Sequence, residues 1–251
     1  FAAVRSLRHR DLKSATISTL FPVSEGPGGL RRAVQRVREE AVKAVDAGAT
    51  MLILSDHGLG ESAAPVPSLL ATAAAHHYLI RTGWRLKATL VVETGDVHEV
   101  HGFACLIGYG ASAIYPYLVY QTIKAMEAAG RLGDQTFEQA AGHFKKAIDQ
   151  GVLKIMSKMG ISTVGSYRGA QIFEALGIGK ELVDECFPGT PSRIGGITYE
   201  HLAADLLAWH RLAYHPQGPL YLEPGGFYQY RRDGEYHAFN PEMIRHLQQS
   251  I

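Results

Sequence analysis

Thr50-Met-Leu-Ile-Leu-Ser55 is a short apolar run without polar alternation, the pattern of a parallel strand covered on both faces. What precedes it decides the fold class. From Leu30 to Ala47 the residues Leu30, Ala33, Val34, Val37, Ala41, Ala44 and Val45 fall three and four apart, with Arg31, Arg32, Arg38 and Glu39 on the other face. That spacing predicts an amphipathic helix ended by Gly48. Ahead of it, Ala15-Thr-Ile-Ser-Thr-Leu-Phe21 is rich in β-branched residues and runs into Pro22 and Glu25-Gly-Pro-Gly-Gly29, so it reads as a strand entering a loop. A strand, a helix and a strand at this spacing imply parallel pairing through a right-handed crossover.

The unit repeats along the chain. The pattern predicts a helix over 69–81, a strand over 87–93, a short helix over 97–107 closed by Gly108, and a strand over 112–117. Two helices follow, over 120–129 and 136–159, the second interrupted near Gly151, then a fifth strand over 162–166 and helices over 169–176, 179–185 and 199–213. Five strands are too few for an eightfold barrel. The expected fold is therefore α/β, an incomplete or modified (βα) barrel-like domain with mostly parallel strands. After His215 the composition changes: Pro216, Gly218, Pro219, Pro224, Gly225 and Gly226 alternate with Tyr221, Phe227, Tyr228, Tyr230, Tyr236 and Phe239. Such a stretch has too many aromatics for a disordered linker and too little else for a core. We expect an α/β domain over residues 1–215 and a connecting tail over 216–251 that docks on a neighbouring surface.

A chain of 251 residues that is 46% hydrophobic can fill one large α/β core. Its 25 Lys and Arg nearly balance 24 Asp and Glu, so its field gives no reason to expect nucleic acid or an anionic membrane as partner. The stretch Arg5, Arg8, Arg10 and Lys13 lacks the aromatics that would accompany nucleic-acid binding. No segment approaches the roughly 20 apolar residues of a membrane helix, and residues 1–13 lack the apolar core of a signal peptide. Two distant cysteines, Cys105 and Cys186, fit a reducing compartment, so a cytoplasmic location is expected. The opening Phe1 and the run Arg5-Ser-Leu-Arg-His-Arg10 lead straight toward a strand, which suggests a domain cut from a longer polypeptide.

In barrels, catalytic groups gather where strands end. The candidates there are Ser55-Asp56-His57, Glu93-Thr94, Tyr115 and Ser166-Tyr167-Arg168. His and Glu are the usual agents of proton transfer, yet every α/β domain places polar side chains at strand ends to serve loop backbone. His98-Glu-Val-His101 lacks the H-E-x-x-H spacing that sets two imidazoles on one helical face, and reads as a solvated helix start. His76 and His77 cannot share a helical face, so one packs and one meets water. Glu25-Gly-Pro-Gly-Gly29 and Ser192-Arg-Ile-Gly-Gly196 are glycine-bearing loops that could meet an anion, though neither matches a dinucleotide or phosphate fingerprint. Lys154 and Lys158, four apart on one helical face, hint at a partner surface.

The run Lys154-Ile-Met-Ser-Lys-Met-Gly-Ile-Ser-Thr-Val-Gly-Ser-Tyr-Arg-Gly-Ala-Gln-Ile-Phe-Glu-Ala175 resembles the central domain of the glutamate synthase large subunit. So do Cys186-Phe-Pro-Gly-Thr-Pro-Ser-Arg-Ile-Gly-Gly196, Ala113-Ile-Tyr-Pro-Tyr-Leu118 and Gly234-Glu-Tyr-His-Ala-Phe-Asn-Pro241. Together these ordered blocks extend the resemblance over essentially the whole chain. It implies an enzyme that makes two glutamates from glutamine and 2-oxoglutarate, with electrons from NADPH, NADH or ferredoxin. In that family an amidotransferase domain releases ammonia, an FMN domain reduces the imine, and a 3Fe-4S cluster belongs to that later region. The central domain connects them and helps shield the ammonia route.

Phe1 is not the amidotransferase's leading cysteine, and two distant cysteines cannot supply a cluster's three thiolates. The resemblance therefore implies no catalytic, cofactor or metal residue in this chain, with FMN and the 3Fe-4S cluster left to the parent. Its implied partners are the amidotransferase and FMN domains, with self-association expected of any apolar surface exposed by the cut. Thr19, Phe21, Ser157, Lys158 and Ser162 are the candidate channel or interdomain positions. The alternative is a free-standing barrel-like enzyme acting on a small phosphorylated or carboxylated metabolite, with Glu93, His57 and Arg168 at its rim.

Overall fold

A computed structural model describes residues 1–9, 12–216, 230, 232 and 236–250. They fall into two compact units, Phe1–Arg211 and Leu212–Ile251. In the first, the strands are β1 (Arg8–His9), β2 (Leu12–Ser18), β3 (Leu20–Pro22), β4 (Met51–Ser55), β5 (Ala63–Pro65), β6 (Thr89–Thr94), β7 (Ala113–Pro116), β8 (Ala175–Ile178) and β9 (Ser192–Ile197). Its helices are α1 (Ala2–Arg5), α2 (Gly28–Asp46), α3 (Ser68–Arg81), α4 (Val100–Gly108), α5 (Tyr117–Ala128), α6 (Phe137–Lys158), α7 (Val164–Tyr167) and α8 (Lys180–Cys186). The boundary between the units falls within α9 (Tyr199–Tyr214).

The main sheet has the order β1-β2-β4-β6-β7, with β2, β4, β6 and β7 parallel and β1 antiparallel at the edge. The parallel strands follow chain order without reversal. Right-handed crossovers of one sense place the connecting helices on one face, as in a barrel, and an open doubly wound sheet would reverse. The α/β, incomplete-barrel expectation holds: four parallel strands pair in chain order, and no barrel closes among the described residues.

Period-two alternation sorts the strand residues. Ile17, Leu52, Leu54 and Leu90 bury against Val37 and Ala41 of α2 and Ala75 and Leu79 of α3. Val92 packs with Phe103, Ala104 and Leu106 of α4 and Ile148, Val152 and Met156 of α6. A third cluster joins Phe21, Leu30 and Val34 to Leu182, Val183 and Cys186 of α8 and Tyr199 of α9. Beside it, the buried Arg38 donates to Glu185 and, at 3.2 Å, to the Cys186 sulfur, which lies 3.1 Å from the Tyr199 hydroxyl. An apolar helix face thus carries one guanidinium because α8 supplies its partners.

The structure redraws several predicted elements. The strand expected over 15–21 is two strands bent at Thr19, whose N–H donates to Ser55 O and whose carbonyl accepts from Val66, each at 2.8 Å. Beyond the bend, β3 leaves the sheet to pair with β5. The break expected near Gly151 is absent, and α6 runs unbroken past it. A Cβ there would fall on Val100, so this glycine lets α6 approach α4. The strand expected over 162–166 is instead the start of α7: Thr163 accepts from Ser166 N–H and caps the helix. Where a helix was expected over 169–176, the chain is irregular and then enters β8, parallel to β9. Ser192–Gly196, expected as a loop that could meet an anion, lies in β9. Glycines 179 and 196 permit that pairing, since a Cβ at either would meet backbone carbonyls of the facing strand at 2.8 and 3.0 Å.

In the second unit, α10 (Pro241–Gln249) starts at Asn240, whose side chain accepts from Met243 N–H at 2.9 Å. Tyr221, Phe227 and Tyr228 of the expected tail lie outside the described residues. Tyr236 and Phe239 are exposed.

Candidate functional site

Parallel register places Ser18, Ser55, Glu93 and Tyr115 in one row at the carboxyl ends of the strands, on the sheet face away from α2, α3 and α4. Glu93 is buried there at 3% exposure. It forms an ion pair with Arg5 and accepts the Ser55 hydroxyl, while Ser55 Oγ accepts from His57 N–H at 3.2 Å. Arg5 arrives from α1, which also brings Phe1 flat onto Tyr115 with ring centroids 4.3 Å apart and planes 5° off parallel. Ser14 fixes this N-terminal segment by donating to the Arg5 carbonyl at 3.0 Å.

A cavity of about 390 Å3 opens beside the cluster, lined by Arg5, His57, Glu93, Tyr117, Gln121 and Lys124 among others. His57 meets Tyr117 edge to face at 5.1 Å. Asp56, also 3% exposed, turns to the helix side and accepts from Thr94 Oγ at 2.6 Å and Gly95 N–H at 3.1 Å. Burial pushes its carboxyl up, against the opposing hydrogen bonds from Thr94, Gly95 and Tyr117. Asp96 caps α3, accepting from Ser68 N–H at 2.9 Å and Ser68 Oγ at 2.7 Å.

The structure unites three of the four groups expected at the strand ends and separates the fourth. Arg168 follows α7 and donates to Ser112 Oγ at 2.7 Å, at the opposite end of β7. The rim's cation is Arg5, 88 residues from Glu93 in sequence, and no local signal links them. Tyr117, Tyr120, Gln121 and Lys124 were within reach of sequence reasoning, because three- and four-residue spacing on a helix following a strand puts them on one face.

Of the proposed channel or interface positions, Thr19 and Phe21 are buried, and Ser157, Lys158 and Ser162 are exposed at and beyond the end of α6. The two sets lie toward opposite edges of the main sheet, since β2 stands next to the β1 edge while α6 packs on α4 and α5 beside β7. The glycine loop before α2 is not a phosphate cradle: Glu25 sits there as a carboxylate tied to Arg32, and a Cβ at Gly29 would strike Phe21 and Glu25. Among the described residues no three His, Cys, Asp or Glu side chains gather as a metal site, and no helix is long and apolar enough to cross a membrane.

Residues 1–179 match the glutamate synthase central domain family. The chain belongs to that family. The central domain is 48% identical over 248 residues to the glutamate synthase [NADPH] large chain of Bacillus subtilis, covering 99% of this chain and 16% of that one. It is 42% identical to the ferredoxin-dependent glutamate synthase of Pyropia yezoensis, over 96% of this chain and 16% of the relative. It is 43% identical to the glutamate synthase [NADH] of Schizosaccharomyces pombe, over 96% and 12%. The chain thus spans at most 16% of the length of these relatives.

Proposed function

We propose that this central domain connects the amidotransferase and FMN domains of a glutamate synthase, which forms two glutamates from glutamine and 2-oxoglutarate, and that it walls the ammonia route without catalysing a step. One observation carries the reading: where a barrel enzyme would expose its acid to substrate, Arg5 neutralises Glu93 and Phe1 covers Tyr115. Family membership supports the assignment to a synthase. Ammonia released into water is diluted and protonated, whereas a water-poor passage keeps it neutral and nucleophilic. A rigid wall between two active sites meets that need.

In this reading FMN and the 3Fe-4S cluster are held by the parent's other parts, the cytosol is the setting, and this chain ligates neither cofactor. Ser157, Lys158 and Ser162 face a neighbouring domain, while Thr19 and Phe21 act from inside, stiffening the exit of β2. The free-standing enzyme loses its proposed cation, because Arg168 is not at the rim.

The test is Glu93→Gln in the intact synthase, which keeps shape and removes charge. A wall residue leaves kcat for glutamine-dependent glutamate formation within about threefold. A general acid or base would cost about a hundredfold or more, and such a loss, with folding intact, would overturn the non-catalytic reading.

A further inference from the structure

Behind the helices, toward the end of the sheet opposite the rim, a second cavity of about 400 Å3 lies between the last turns of α3 and α4 and the loops 168–174 and 187–191. Its walls are aromatic. Tyr109 and Phe173 stack with centroids 5.6 Å apart at 26°, and Phe187 meets Tyr109 edge-on at 5.1 Å. Beside them, the Tyr109 hydroxyl lies 2.7 Å from that of Thr190.

The polar side of this cavity carries a donor whose identity follows from chemistry. Arg85 Nε lies 2.8 Å from His76 Nδ1. A guanidinium only donates, so Nδ1 is the bare nitrogen and the neutral ring carries its hydrogen on Nε2. Burial, then the charges of Arg85, His77 and Arg168, push His76 down to about 3, which keeps the ring in that neutral tautomer. Gly110 is packed against the Nδ1 and Cε1 edge, leaving the Nε2 edge for the cavity that His76 lines. No hydrogen bond to Nε2 forms among the described residues.

Two further features point to a ligand. Among the described residues no carboxylate lines the cavity, and the arginines whose charges, after burial, lower His76 and His77 are Arg85, Arg168 and Arg81, so its field is positive. Gln171 holds its side in the left-handed region at φ 53°, alone among the described non-glycine residues, with its amide against Gly189 at φ 84°. Holding a side chain in that conformation costs backbone energy, and here it shapes a wall of the cavity.

We propose that this cavity binds a small aromatic or heteroaromatic ring bearing one anionic group, the ring lying along Tyr109 and Phe173 and the anion accepting from His76 Nε2–H. The volume suits such a molecule. The positive surroundings select the anion over its neutral analogue, because a charged acceptor strengthens the hydrogen bond. The inference does not depend on the role proposed for the rim.

The experiment is calorimetric titration of the intact protein, with substrate and cofactor sites saturated. The probes are indole-3-acetate and phenyl phosphate, with indole-3-acetamide as the neutral control. At least one anion is expected to bind saturably below about 1 mM, and the amide about tenfold more weakly. Phe173→Leu, which keeps bulk and removes the flat wall, and Gln171→Gly, which relaxes the backbone and removes the amide, should each weaken the anion about tenfold. If Phe173→Leu lowers thermal stability, Gln171→Gly alone decides. No binding by either anion up to about 10 mM, an amide as tight as the anions, or an affinity indifferent to Gln171→Gly would overturn the proposal.

Discussion

At the carboxyl ends of the strands, buried charge is answered from within: Arg5 faces Glu93, and Asp56 takes hydrogen bonds from Thr94 and Gly95. Behind α3 and α4 the arrangement is the reverse. There burial and the neighbouring arginines hold the imidazoles neutral, and His76 lines a cavity where no carboxylate stands among the described residues. Both regions belong to the same α/β unit, so the scaffold does not decide which is a wall and which a receptor. Accessible donors do, because a ligand's charged acceptor can take the place of the water that otherwise serves them.

The contrast breaks most severely at Gly110. Its φ of 111° is a left-handed conformation, and a Cβ there would fall on His76 Nδ1. Gly110→Val must therefore strain the backbone and expel the imidazole, at about 1–3 kcal/mol each, together about 4 kcal/mol. Urea unfolding should show that loss, and a variant within about 1 kcal/mol of wild type would mean that His76 is not seated as described.

This glycine also shows where sequence reasoning stops. The main sheet was legible because its central parallel strands are local runs of aliphatic and β-branched residues, Met51–Ser55 and Thr89–Thr94, and the helix between β2 and β4 carries its own 3.6-residue period. Local reading failed where a partner far along the chain sets the conformation. Ala175-Leu-Gly-Ile178 becomes a strand because β9 arrives beside it, and Ser162-Thr-Val-Gly-Ser166 has strand-like composition but a Thr163 cap. The site divided in the same way. His57 and Glu93 could be placed at strand ends by counting, whereas Arg5 reaches Glu93 only because α1 folds onto the sheet face that carries it.

The second test separates the two regions by the sign of their pH dependence. Folded His76 refuses a proton until about pH 3, while the unfolded chain takes it near pH 6.5. Between those values the unfolded state binds more protons, so stability falls as the pH is lowered, by up to about 1.4 kcal/mol per unit. Depressed to about 4 by burial and Arg81, His77 acts in the same direction over a shorter window. Asp56 acts oppositely: its raised carboxyl keeps a proton that the unfolded chain has released, so its contribution weakens as pH rises from the ordinary carboxylate value. Between pH 6.5 and 5, His76 alone should cost about 1.6 kcal/mol. His76→Gln should remove about half of the combined slope of the two imidazoles, and an unchanged slope in this variant would assign the effect elsewhere.

The smallest expected effect tests the closure of the rim. Arg5→Ala leaves a carboxylate that is 4% exposed facing a vacated position, although Ser55 still donates to it. Losing one partner of a fully buried pair costs about 3–5 kcal/mol, but the Arg5 side chain is 41% exposed, so water and salt already screen its share. The expected loss is about 1–2 kcal/mol, a fall in Tm of roughly 2–8 °C for a domain of this size. Glu93→Gln with Arg5→Ala should recover part of it, because the double variant buries no unpaired charge. If the double variant is instead less stable than Arg5→Ala alone, Glu93 gains its stability from groups other than Arg5, and the rim is not the self-answered cluster that a wall requires.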